Sequence, residues 1–395
     1  MKKIVIIGGG ASGMVAAISA KKENNEVIIL EKNNILGKKI LATGNGRCNY
    51  FNEIQDVSKY SSTTPKLLKE IISIENINMV LDFFNSLGII PKIKNGYYYP
   101  YSNKSENIKK ILEDKIKDLG IKVKYNFNIE DISYDNKFII KGNDIVEADS
   151  LIISTGGMAS PITGSTGDGY DFAKKFNHRV IKPRPALTYL KGNDKLQSIW
   201  AGIRVDAKVS LICDDEIVDT EEGELQLTKN GLSGICIFNL STRAIEEEAK
   251  SVEIGINFMP FIEPIMAVEF FKQRKEENCI KVLEGFLNLK LIKAFTEILN
   301  IKEDAKIEEV DVPSLIKLLT DYRFKVEGHG SFEDSQTTSG GVSLEEVNRQ
   351  TFASLKQENL YLTGELLDVS GKCGGYNLTF AWISGISAGL DASIN

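Results

Sequence analysis

Histidine is nearly absent: His178 and His329 are the only two in 395 residues. That is too few for a histidine-rich metal site and hard to assemble into a serine-type triad. The five cysteines, Cys48, Cys213, Cys236, Cys279 and Cys373, are scattered and show no Cys-x-x-Cys spacing. They fit a reducing compartment, with neither a disulfide framework nor a zinc site, and no metal is expected. No apolar run is long enough to span a bilayer, and the apolar start Ile4 to Ile7 runs straight into glycines, unlike a signal peptide. A cytoplasmic protein without a membrane partner is expected. A basic excess is also missing. The net charge of -6 and pI of 5.4 argue against a large exposed nucleic-acid footprint, while leaving room for a local basic patch. Internal repeats and low-complexity stretches are lacking as well.

What is present is length and pattern. A chain of 395 residues exceeds the usual size of one hydrophobic core, so two or three domains are expected, with one inserted in another. Lys2 to Ile7 reads as a buried strand, Ala11 to Lys22 as a helix and Glu26 to Leu30 as a second strand, which together make a βαβ unit. The glycine- and lysine-rich stretch Gly37 to Asn52 reads as too polar for core and belongs on the surface or over a ligand. Helical periodicity spans Lys66 to Leu87 and Asn107 to Leu119. Short alternating strands follow around Lys122 to Phe127, Ile129 to Tyr134, Lys137 to Lys141 and Ile145 to Ala148, a β-meander attached to the sheet. Ser150 to Ser154 has the continuous apolar pattern of a central parallel strand and ends in Thr155-Gly156-Gly157. Strands such as Val205 to Cys213 and Glu216 to Thr220, then helices from Pro260 to Leu319, suggest an insertion. Asn359 to Glu365 and the helix from Gly375 to Ala388 should complete the first domain. The expected division is 1-188 and 331-395 for the first domain, 189-259 for a β-rich insert and 260-330 for a small helical part.

The opening turn carries the chemistry. In Gly8-Gly9-Gly10-Ala11-Ser12-Gly13, Gly8 permits a tight turn, Gly10 lets backbone approach a pyrophosphate and Gly13 lets helix pack on strand. The helix amino terminus offers free N–H groups and partial positive charge to phosphate. Glu31, eighteen positions after Gly13, ends the second strand where a ribose diol would sit, which favours an unphosphorylated adenosine ribose. FAD rather than NAD follows from later loops. Thr155, Gly156 and Gly157 bring a strand end to the nucleotide, Gly364 and Glu365 place a carboxylate near the ribityl or phosphate region, and Gly374-Gly375-Tyr376-Asn377 starts a helix. A helix amino terminus aimed at the flavin would stabilise the negative charge that reduction places there.

Further motifs carry a family likeness: Gly37-Lys38-Lys39-Ile40-Leu41-Ala42-Thr43-Gly44-Asn45-Gly46-Arg47-Cys48-Asn49, Thr163-Gly164-Ser165-Thr166-Gly167-Asp168-Gly169-Tyr170, Gly364-Glu365-Leu366-Leu367-Asp368 and Gly374-Gly375-Tyr376-Asn377-Leu378. With the opening turn, Gly223-Glu224-Leu225, Thr228 and Gly231-Leu232-Ser233-Gly234, this text resembles the BaiN/YhiN family of FAD-dependent flavoproteins over nearly the whole chain. The resemblance implies an α/β fold: a Rossmann-type, glutathione-reductase-like FAD-binding domain, with an inserted β-rich domain and a small helical domain. It implies FAD contacts at Gly8, Gly10, Ala11, Ser12, Gly13, Glu31, Lys32, Lys39, Arg47, Asn49, Ile129, Thr155, Gly156, Gly157, Gly364, Glu365, Gly375, Tyr376, Asn377 and Leu378. Ser339 stands where the family has Ala or Arg, and Thr379 where Gln is common, so substrate preference is open.

Family members resemble reductases and oxidases of different small molecules, with bile-acid enone reduction and aminoacetone oxidation both attributed to the group, so kinship does not fix a substrate. No second Gly-x-Gly-x-x-Gly unit follows a strand, so NADH or NADPH would serve as a transient reductant unless the substrate itself supplies the hydride. Tyr376, with Arg47 as an anion clamp, is the catalytic candidate; Glu365 and Asp368 have plainer roles as cofactor ligand and turn cap. Three readings stay open: a reductase of an enone- or quinone-like acceptor, an amine oxidase using oxygen, and a flavin-carrying RNA-modifying or binding protein. Cys48 and Cys373 sit in loops expected to converge on the flavin, but small residues in glycine loops explain them more simply than a redox pair. His178 is expected at a helix end and His329 in a loop. Oligomeric state is not legible.

Overall fold

The computed structural model describes residues 1–247 and 249–394. The chain divides into two compact units, Met1–Ala186 with Ser335–Asn395, and Leu187–Asp334.

The first unit is organised by five parallel strands: β1 (Lys2–Ile7), β2 (Asn25–Leu30), β3 (Lys122–Lys124), β4 (Ser150–Ile153) and β5 (Leu360–Leu362), in the order β5-β4-β1-β2-β3. All four residues of β4 and the last four of β1 are buried, the signature of strands covered on both faces. One cover is α1 (Ala11–Ala20), of which every residue but Ala11 is buried. It lies against α2 (Tyr376–Ala392) so closely that a methyl group on Gly385 or Gly389 would strike the backbone oxygens of Ser12 or Ala16. Ile7 is level with Ile153 and Leu30, and Ile153 with Leu362. The carboxyl ends of four strands therefore finish together, and the loops after them converge on one edge.

Several sequence expectations shift. The four meander strands divide: Lys122–Lys124 pairs in parallel with β2, whereas Ile129–Asp135, Lys137–Gly142 and Ile145–Ala148 form a separate antiparallel sheet. The helical stretch from Lys66 to Leu87 breaks into Leu68–Ile71 and Ile74–Ser86, because Ser73 caps the second helix by accepting from Asn76 N. The segment Gly37 to Asn52, expected to be too polar for core, contributes Ile40, Cys48, Tyr50 and Phe51 to it. Left-handed backbone at Gly44, Asn45, Gly46 and Cys48 turns these side chains inward.

In the second unit seven antiparallel strands run in the order Tyr322–Lys325, Val252–Asn257, Arg204–Cys213, Glu216–Thr228, Gly231–Ser233, Leu190–Lys191 and Gly328–His329. Its helices and sheet share one hydrophobic core, in which Trp200, Phe258, Phe295 and Tyr322 meet edge to face or tilted. The β-rich and helical segments pack as one body because the chain returns to the sheet at Tyr322 after the helices. His329 lies in that last strand rather than in a loop, and His178 follows the helix Asp168–Lys175 as expected.

Candidate functional site

The opening turn is built by contacts that exclude side chains. Gly8 has φ +94, and a Cβ there would stand 2.6 Å from Ser154 O, where the ends of β1 and β4 almost touch. At Gly13 a methyl group would fall on the Gly8 carbonyl oxygen, so only glycine lets α1 lie on the turn. Gly10 has nothing within 4 Å of its Cβ direction and precedes α1 without any side-chain cap. The first N–H groups of α1 therefore face open space, which suits an anion. Glu31, buried at 6% exposure, ties the turn together. Its Oε2 accepts from Gly9 N at 2.7 Å, and its Oε1 accepts from Asn33 N at 2.7 Å and Asn33 Nδ2 at 2.8 Å.

From this turn runs an elongated cleft enclosing about 1430 Å³ of empty space, part of it open to solvent. At one end Lys32 Nζ donates to Thr166 Oγ1 at 2.5 Å and to Asp168 Oδ2 at 2.7 Å, beside Phe127, Ile129 and Phe172. At mid-length Lys39 Nζ meets Glu365 Oε2 at 2.8 Å. Glu365 Oε1 accepts from Thr338 N at 3.0 Å and Thr338 Oγ1 at 2.9 Å, and that hydroxyl oxygen accepts from Met158 N and Ala159 N. This closed circuit joins the loop after β4, the strand Thr337–Val342, the Gly364 turn and the Gly37 segment. The far end is walled by Thr43, Gln336, Thr337, Val369, Asn377 and Leu378. Asn377 is locked there by exchanging hydrogen bonds with both backbone groups of Gly371.

Of the sequence candidates, Gly8, Gly10, Ala11, Ser12, Glu31, Lys32, Lys39, Ile129, Thr155, Gly156, Glu365, Asn377 and Leu378 line the cleft. Seven others stand behind or beside it. Gly13 and Gly157 allow close packing, Gly157 against Thr338 and Glu365. Gly364, at φ +67, lies on Ser12 and donates to Ser384 Oγ at 2.9 Å. Gly375, at φ +94, caps α2 against Phe51 and Asn49. Tyr376 is buried edge-on against Tyr60, and Arg47 is exposed with its guanidinium 5.4 Å from the Tyr99 ring centre. Neither Tyr376 nor Arg47 reaches the cleft wall. Asn49 is buried and its Oδ1 has no hydrogen-bond partner.

Sequence reasoning missed Asn33, Thr166, Asp168, Thr43, Gln336 and Thr337 as cleft residues. Thr166 and Asp168 sit in a motif quoted for its likeness, yet no strand precedes it, so spacing alone gave them no role. Asp368, expected to cap a turn, instead tethers a distant segment: buried, it accepts from Thr63 N at 2.9 Å and from the Thr63 hydroxyl. Cys48 is buried and its thiol is pushed up to about 12 by that burial; Cys373 is half-buried, and neither is in a disulfide.

The donor set fits an extended dinucleotide. Thr155 Oγ1 and Thr337 Oγ1, both on the cleft wall, are buried without partners, and such groups are otherwise rare in folded proteins. The fit rests on the uncapped start of α1, whose first N–H groups border the cleft and suit phosphates.

The family model described as HI0933-like protein Rossmann domain matches residues 2–391. The chain is 35% identical to a 3-dehydro-bile acid delta(4,6)-reductase from Clostridium scindens over 374 residues, 92% of this chain and 91% of that protein. It is 27% identical to a ribosomal RNA dihydrouridine synthase from Haemophilus influenzae over 370 residues, 91% of this chain and 90% of that protein. Among solved structures, a 3-ketosteroid delta1-dehydrogenase from Sterolibacterium denitrificans superposes with TM-score 0.52 at 10% identity, covering 100% of both chains, which shows a common fold. Turn, cleft and matches agree: this chain is an FAD-dependent oxidoreductase and belongs to the HI0933-like Rossmann family.

Proposed function

We propose that this protein is a flavin-dependent reductase that adds a hydride to the conjugated double bond of an enone-like small molecule, with NADH or NADPH as transient reductant. The observation that carries the proposal is the 35% identity, across 91% of its length, to a reductase whose name specifies the delta(4,6) bonds of a 3-dehydro bile acid. The cleft agrees in kind, with a polar, phosphate-suited start at α1 and a far end walled by Val369, Leu378 and Phe380 beside Thr43, Gln336 and Asn377.

In this reading the uncapped N–H groups of α1 hold the pyrophosphate. Glu31 accepts a ribose hydroxyl with the one acceptor position on Oε2 that Gly9 leaves open. The Lys39–Glu365–Thr338 circuit keeps the loop after β4 against the cleft, with Glu365 hydrogen-bonded to both partners. Bound FAD supplies a two-electron hydride carrier. In the same reading Thr43 and Gln336 orient a polar substrate group, and the apolar wall keeps water from the reacting face. Anaerobic stopped-flow reduction with each nicotinamide, followed by turnover on a steroid enone and on its saturated counterpart, tests the proposal. Reduction and enone turnover are expected; flavin reduction by amines with oxygen as acceptor, and no enone turnover, would refute it.

A second reading is RNA modification, favoured by the 27% and 26% identities to ribosomal RNA dihydrouridine synthases of Haemophilus influenzae and Escherichia coli. The uracil 5,6 double bond is conjugated to a carbonyl, so the bond class is the same. The net charge of -6 weighs against a broad RNA footprint. Dihydrouridine appearing in ribosomal RNA treated with the reduced enzyme would favour this second reading.

A further inference from the structure

Between Phe83 and Ser105 the sequence holds no Asp or Glu but holds Lys92, Lys94 and Lys104, in a chain whose net charge is -6. The structure folds the middle of this stretch into a hairpin, Pro91–Lys94 with Tyr97–Pro100. Its tight turn is Asn95-Gly96, at φ +52 and +79, the left-handed pair that such turns require. All four residues of Pro91–Lys94 are exposed, and Tyr101 is 72% exposed just beyond the hairpin. Arg47 joins this surface by stacking its guanidinium on Tyr99. Among the described residues none of Arg47, Lys92, Lys94 and Lys104 enters an ion pair. Lysines on an edge strand also discourage strand pairing. A guanidinium stacked on one tyrosine beside an exposed second is more than that purpose needs.

The hairpin packs against the Gly374–Gly375 turn that starts α2. Tyr97–Pro100 pairs with Phe51–Asn52, Asn52 Nδ2 donates to Gly374 O at 2.9 Å, and Cβ atoms on Gly374 and Gly375 would stand 2.8 Å from Tyr97 and 2.9 Å from Phe51. Gly375 caps α2, whose Asn377 and Leu378 line the cleft. We propose that the Pro91–Pro100 hairpin with Arg47 and Tyr101 is the docking surface for a nicotinamide dinucleotide. The proposal rests on the reductant reading above and names where that reductant lands. Unpaired cations suit phosphates, and tyrosine faces suit planar bases. The three cations of this surface, Arg47, Lys92 and Lys94, compare with the roughly three to four negative charges of a phosphorylated nicotinamide dinucleotide, whereas salt-dependent RNA binding commonly engages about six to ten phosphates. The chain also lacks a second Gly-x-Gly-x-x-Gly unit after a strand, so a nicotinamide nucleotide must be held by some other surface.

The test uses FAD-loaded protein and oxidised NADP+, which binds without reducing the flavin. Lys92→Glu with Lys94→Glu, and separately Arg47→Ala, are compared with the equal charge change Lys22→Glu with Lys66→Glu on exposed lysines elsewhere. Unchanged flavin absorbance and far-UV circular dichroism establish that each variant is folded and loaded. The hairpin double variant should raise the dissociation constant for NADP+ about tenfold or more at low salt, with the gap narrowing as salt rises, and the control should move it less than about threefold. Reduction by NADPH should slow in parallel, while reduction by dithionite stays unchanged. Equal effects of hairpin and control variants would overturn the docking site while leaving the reductant reading intact. Loss of single-stranded RNA binding with unchanged NADP+ affinity would overturn it in favour of RNA. A wild-type protein that binds neither NAD+ nor NADP+ and is reduced by neither NADH nor NADPH would overturn the reductant reading, and the docking site with it.

Discussion

Replacing Glu31 by Gln separates two roles that a carboxylate at the end of β2 can have. If Glu31 served only a bound ribose, the protein without FAD would not notice the change. The structure says otherwise, because three of the carboxylate's acceptor positions are already used by Gly9 N, Asn33 N and Asn33 Nδ2. A glutamine must turn its NH2 group toward one of these donors. The least costly choice keeps oxygen toward Asn33 and sets the amide nitrogen against Gly9 N–H, leaving that buried donor without an acceptor. An unmade buried hydrogen bond costs about 1–3 kcal/mol, and losing charge assistance at the two Asn33 bonds removes roughly 1 kcal/mol each. The sum is about 4 kcal/mol, or roughly a thousandfold in the folding equilibrium. The protein offers a clean probe, since its two tryptophans fall one in each unit, Trp382 in the first and Trp200 in the second. Urea unfolding of FAD-free protein in a Trp200→Phe background, followed through Trp382, should show the first unit's midpoint falling sharply in the Gln variant at unchanged slope. A shift below about 0.5 kcal/mol would refute the reasoning.

Other outcomes follow from single contacts. Gly13→Ala places a methyl group on the Gly8 carbonyl oxygen, so α1 must lift from the turn; a stability loss of about 3 kcal/mol and loss of FAD retention are expected, read by thermal melting and flavin absorbance of the purified protein. Asp368→Asn breaks the buried carboxylate that fixes Thr63, which should cost about 2 kcal/mol in urea unfolding, whereas Asp171→Asn, at a surface pair with Lys174, should cost under about 0.5 kcal/mol. Burial holds the His178 imidazole below its ordinary 6.5 against the opposing pull of Glu346, which faces it together with Lys356. The unfolded chain therefore takes up this proton first as pH falls. The stability owed to neutral His178 is complete above about pH 6.5 and declines below it until the folded imidazole itself titrates. Unfolding free energies between pH 7.5 and 5.5 should lose part of their slope in His178→Gln, and an identical slope would refute the assignment. Cys48, with its thiol pushed up to about 12, should resist a disulfide reagent in the native protein while half-buried Cys373 reacts. Fast labelling of Cys48 would revive a redox pair.

The first βαβ unit, the strands Ser150–Ile153 and Leu360–Leu362 and the α2 helix were legible because each is specified locally. A fully buried strand must be apolar throughout, a helix needs its period, and at Gly8 and Gly13 no side chain fits. The inward turn of the Gly37 to Asn52 segment was not legible, because its polar text conceals a series of left-handed residues that bury Ile40, Tyr50 and Phe51. The split of the meander into two sheets was equally hidden, since strand pattern does not name a strand's partner.

By itself, the sequence determined that a dinucleotide turn opens the chain, that Glu31 closes it, and that later glycine loops return to the same edge. Tertiary structure alone decided which side chains face the cleft. It brought Thr166, Asp168, Gln336 and Thr337 to the wall, turned Tyr376 into the core and left Arg47 exposed beside Tyr99. The reason is physical: a motif records the backbone geometry a position must adopt, whereas the direction of a side chain is set by contacts hundreds of residues distant, as between Lys39 and Glu365.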